Sequence, residues 1–147
     1  MKKFYTIKLW ILIIISLLIF VFASGIGMGV PIINIFLGFV VGWYSAMRVC
    51  ILYESINKRF SKILFYGLFC SGITFILMIA IWGKTIPMLF NPLSDFENFG
   101  HPFILYDPKL SYIGWLALMI IISPFLQLMA TVFSAFITLK ICFLRKR

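Results

Sequence analysis

Four stretches of the chain, at about residues 7–24, 30–50, 63–83 and 112–139, are apolar almost without interruption. None of them alternates polar and apolar positions as a barrel strand of about ten residues would. Each approaches or exceeds the ~20 residues that a helix needs to cross a hydrocarbon core of about 30 Å. The pattern predicts an all-α membrane protein, a four-helix transmembrane bundle in a single domain over 1–147. In the first stretch Lys8 can snorkel to the interface. Pro31 opens the second, where a first-turn proline is well tolerated. The fourth is long enough to tilt or kink.

The gaps between these stretches carry the polar residues. Residues 24–29 (Ser24, then glycines at 25, 27 and 29) hold no charge and predict a tight hairpin turn. Their GxGxG spacing is not a dinucleotide fingerprint, and no strand precedes it. Residues 51–62 mix apolar and basic positions at helical spacing, so the second helix either continues outward or bends onto the membrane surface. Residues 84–111 form the one sizeable loop, with Pro87, Pro92, Pro102 and Pro108. Its aromatics, Phe90, Phe96, Phe99, Phe103 and Tyr106, argue against simple disorder, and it is expected to cap the bundle on the outer face.

Composition agrees with a lipid environment. Of the 147 residues 63% are hydrophobic and 12% charged, against about 45–50% and about 25% in soluble domains. The net charge is +9, but the basic residues lie in the gaps, where they act as topology signals and contacts to anionic lipid rather than to nucleic acid. Eleven of the thirteen, Lys2, Lys3, Lys8, Arg48, Lys58, Arg59, Lys62, Lys140, Arg145, Lys146 and Arg147, flank one side, and only Lys84 and Lys109 the other. Both termini are therefore expected in the cytoplasm of a cell with the chain in its plasma membrane, and residues 84–111 outside. Trp10, Trp82, Tyr112 and Trp115 fall at the span ends, as interfacial aromatics do. Residues 1–23 also carry the pattern of a secretory leader ending at Val21-Phe22-Ala23, although another apolar span follows almost at once.

Within the spans, Asn34, Gly38, Gly42 and Ala46 recur every four residues and share one helix face. Small residues at this spacing let helix backbones approach closely. The partner helix lies in this chain or in another. The fourth span repeats the spacing with Ser123, Gln127, Thr131 and Ala135, and Pro124 is expected to kink it. The third adds Gly67, Ser71 and Thr74. Two uses of these polar groups stand side by side: Asn34, Ser71, Gln127 and Thr131 satisfy one another between helices, or Asn34, Gln127 and Thr131 line a small polar pathway or pocket. Arg48, the deepest charge, either snorkels or recognises a lipid phosphate or another anion.

No Asp, Glu, Lys or His lies deep in any span, and proton relays, intramembrane metal sites and intramembrane hydrolases depend on such groups. Cys50, Cys70 and Cys142 are far apart in sequence and read as small packing residues. His101, near Asp95 and Glu97, matches no metal-ligand spacing. No catalytic residue, metal or cofactor is expected. The chain is expected to be a non-enzymatic accessory, assembly or immunity-type subunit that acts through helix packing, as a homo-oligomer or in a larger membrane complex. The alternative is a transporter or channel component for a neutral or anionic solute. A membrane enzyme ranks third, and only if His101 and the carboxylates of the outer loop converge.

Overall fold

The computed structural model describes residues 9–24, 30–52, 56–98 and 105–144. They form α1 (Leu9–Ser24), α2 (Val30–Leu52), α3 (Ile56–Trp82), α4 (Pro108–Ala117) and α5 (Ser123–Leu144). No strand occurs among the described residues. A 3-10 segment, Gly83–Phe90, prolongs α3, and a π turn, Leu118–Ile122, joins α4 to α5 in one unbroken helical run. Three stretches are long and apolar enough to cross a membrane: Pro31–Ile51, Lys58–Phe90 and Pro108–Leu144. The 16 residues of α1 reach only about 24 Å at 1.5 Å per residue, short of a ~30 Å core.

The helices after α1 overrun the apolar stretches that predict them. α3 begins at Ile56 rather than near residue 63, because Lys58, Arg59 and Lys62 are polar but good helix formers. Of the loop expected over 84–111, the first residues continue the helical run in the 3-10 segment and the last open α4, while 91–98 and 105–107 are irregular. Pro87 is accommodated inside the 3-10 segment. The Asp107 side chain caps α4 by accepting from the Leu110 N–H at 2.9 Å, and Pro108 follows at the first helical position. The glycine turn at 25–29, the connection at 53–55, and His101 lie outside the described residues.

α2 and α5 run parallel and in direct contact, with α3 antiparallel across both. The partner numbers show it. Asn34 meets Ser123 and Gly38 meets Gln127, then Gly42 meets Thr131. On α3 the order reverses: Gly67 meets Thr131, Cys70 meets Gln127, and Trp82 meets Trp115. At one end Leu37, Met78, Tyr112, Trp115, Leu116 and Met119 form a core cluster against which Leu89 and Phe96, from the chain after α3, pack. Trp82 and Trp115 meet edge to face at 4.4 Å between centroids, and the Tyr112 hydroxyl donates to the Thr85 carbonyl at 3.1 Å. At the other end Ala46, Val49, Cys50, Ile63, Ala135 and Leu139 make a second cluster. α1 packs on α2 and α3 through Ile13 and Leu17, against Tyr44 and Tyr66.

Candidate functional site

The two four-residue stripes legible in the sequence face each other in one register. Asn34 is 89 positions before its partner Ser123, and the same offset pairs Gly38 with Gln127 and Gly42 with Thr131. Ala46 and Ala135, one turn further, share a core cluster. Parallel neighbours of equal pitch keep such a register over several turns. The glycines are required by contact. A methyl group at Gly38 would collide with the Gln127 carbonyl oxygen, and one at Gly42 with the Thr131 carbonyl oxygen. Within the chain, the stripe of α2 packs on α5.

Hydrogen bonds then lock the layer between Asn34 and Gln127. Asn34 Nδ2 donates to Ser123 Oγ at 2.6 Å, and Ser71 Oγ of α3 donates to the Pro124 carbonyl at 2.7 Å. α2 and α3 thus hold the Ser123-Pro124 dipeptide from two sides. Gln127 Nε2 reaches Cys70 Sγ at 3.5 Å. The expectation that Asn34, Ser71, Gln127 and Thr131 satisfy one another needs correcting. Each side chain takes another partner, and the Thr131 hydroxyl donates back along its own helix to the Gln127 carbonyl at 2.8 Å. Thr74 and Thr138 back-bond in the same way, to Cys70 and Ser134. Back-bonding is the ordinary resort of a hydroxyl inside an apolar helix.

Pro124 shapes the same layer. Its ring cannot share space with the carbonyl four residues earlier, and it brings no N–H. The helix answers with the π turn immediately before it, in which the Ser123 N–H bonds to the Leu118 carbonyl. α5 follows directly at Ser123, so Pro124 falls just past the widened turn. The irregularity expected from the proline is thus a widened turn on its N-terminal side.

Two amide ends stay unmatched. Asn34 Oδ1 and Gln127 Oε1 are buried with no hydrogen-bond partner among the described residues, in side chains 0% and 2% exposed. An unpaired buried polar group costs about 1–3 kcal/mol. The Trp82 indole N–H is in the same position.

The remaining candidates lie apart from this layer. Arg48 sits in the last two turns of α2 and is half-buried. Among the described residues the buried basic one is Arg59, whose guanidinium lies 5.2 Å from the centre of the Phe143 ring. Sequence reading placed Arg59 only in a connecting segment. Its sole signal was an i, i+4 step to Ile63, which faces the core. Cys70, read as a packing residue, receives the Gln127 amide, which no spacing announces. The three cysteines form no disulfide. No metal-holding group of His, Cys, Asp or Glu occurs among the described residues. In the 91–107 segment the Asn98 side-chain amide and the backbone N–H groups of Asn98 and Glu97 hold the Asp95 carboxyl below its ordinary pKa.

On the side of the α2–α5 seam lined by Phe39, Val40, Trp43, Ser134, Ile137, Thr138 and Ile141 lies an open, apolar groove of about 400 Å³. The Ser134 hydroxyl crosses the seam beneath it to the Phe39 carbonyl at 2.8 Å. Comparison with known proteins finds no family model, no curated protein and no solved structure that matches the chain.

Proposed function

We propose that the chain is a four-span protein of the plasma membrane, with both termini cytoplasmic, that works as a non-enzymatic accessory, assembly or immunity-type subunit. Three helices are long and apolar enough to span, and α1 is taken as the fourth because it packs on α2 and α3 through buried Ile13. The charge bias of the flanks supports the orientation. The single observation that carries the functional reading is the parallel α2–α5 seam. The small-residue face of α2 is engaged within the chain, so association falls to the outward surface. There the open apolar groove bordered by Trp43, Ile137 and Ile141 offers a surface for the side chains of a further transmembrane helix.

Single cysteines at Trp43 and Ile137, in an otherwise cysteine-free chain, test this by crosslinking in native membranes. A specific adduct with a second copy or a co-purifying membrane protein is expected. Monomer alone, with no co-purifying protein, overturns the reading.

The unmatched amides of Asn34 and Gln127 favour one alternative, a transporter or channel component for a neutral or anionic solute. It requires water-borne reagents to reach mid-helix. Labelling of a Thr131→Cys variant from either side of the membrane would support it, and protection from both sides excludes it.

A further inference from the structure

We infer that the layer between Asn34, Cys70, Ser123 and Gln127 is a binding site for internal water. Two observations carry this independently of any functional reading. The first is the pair of buried amides, each with one end bonded and one end unpaired: Asn34 to Ser123, and Gln127 to Cys70. The second is the proline. Pro124 brings no N–H to the helical ladder, and the turn before it widens to a π turn beside Ser123. Ser123 and Gln127 are one helical turn apart on α5, so the two amides sit on successive turns of one face.

The chemistry of the unpaired ends selects the ligand. An amide carries a donor end and an acceptor end. Turning either amide through 180° exchanges which end is unpaired but pairs neither fully. The site therefore needs a molecule that both donates and accepts, and buried waters typically make two to four such bonds. A monovalent cation serves only the carbonyl ends. It would also be held without an anionic partner, since no Asp or Glu lies in α2, α3 or α5. The occupant must be small, because Gly38, Gly42 and Gly67 already draw the three helices into contact on the neighbouring turns.

Cys70 supplies an internal reporter, for its thiol touches the Gln127 amide. The test uses full-length protein with Cys50→Ala and Cys142→Ala, in lipid nanodiscs, and follows the infrared S–H band after transfer to D₂O. Water at the site is expected to exchange the Cys70 proton within minutes. The same rate is expected when sodium is replaced by an impermeant organic cation. Removing both amides, with Asn34→Leu and Gln127→Leu, is expected to slow exchange at least tenfold. A thiol that keeps its proton for hours, a rate set by sodium, or a rate indifferent to loss of both amides overturns the inference. A map of the unsubstituted protein at a resolution that shows ordered waters gives a readout that needs no variant. Density bridging the Asn34 and Gln127 side chains supports the site, and apolar side chains closed against both amide ends refute it.

Discussion

α2 has two kinds of neighbour, and they differ in what holds them. Against α5 it presents the stripe Asn34, Gly38, Gly42 and Ala46, small or polar at each step, and at Gly38 and Gly42 a methyl group does not fit. Against α1 it presents Tyr44, met by Ile13 and Leu17. α1 is itself apolar but for Ser16 and Ser24, yet Ile11, Ile14, Ile15, Leu18, Ile19, Val21 and Phe22 remain exposed. Lipid tails are as apolar as leucine, so hydrophobicity places a helix in the bilayer without telling it what to pack against. Close packing and hydrogen bonds choose neighbours. The seam with α5 has both, whereas α1 rests on a few large side chains.

Substitutions can break or sharpen this contrast. The largest effect is expected at the tightest contact: Gly42→Ala should destabilise the fold by about 1–3 kcal/mol, as overpacking does elsewhere. Thermal unfolding in detergent reads it, and an unchanged midpoint would mean that α2 and α5 are not held at this distance. Next comes Asn34→Ala, which removes the bond to Ser123 together with one unmatched amide end. The two changes oppose each other, so a loss of about 0.5–2 kcal/mol is expected on the same assay. Gly72→Ala serves as the control for the glycine argument. Nothing lies within 4 Å of a methyl group added there, so the variant should match the parent or gain up to about 1 kcal/mol of helix preference. A marked loss would show that α3 has a neighbour on that face. Smallest of all, Leu18→Ala on the exposed side of α1 should change stability by less than about 0.5 kcal/mol. A large drop would place α1 in a contact as specific as the seam.

Much of the seam was legible in advance. The four-residue steps in α2 and in the fourth apolar stretch stand in the sequence, as do Pro124 and the lack of deep charges. What periodicity reveals is which residues share a face. It leaves open which face meets which, so the partner of Gly38 and Gly42 had two homes, in this chain or in another. Hydrogen-bond partners were still less accessible. Ser71 finding the Pro124 carbonyl and Gln127 finding Cys70 depend on the separation and rotation of two helices, quantities that no single helix encodes. Arg59 shows the same limit, since its burial requires Phe143, 84 positions later, to return to it.

The sequence by itself determined that these segments are helices suited to lipid, and which sides of them are small and polar, because both properties are local and repeat with the helical period. Only the tertiary structure decided that α2 and α5 run parallel at one constant offset, that the proline is absorbed in a π turn, and that two amides are left with unpaired ends. Those outcomes follow from fitting three helices together at once, where closing the gap at Gly38 and Gly42 fixes which polar groups find a partner and which do not.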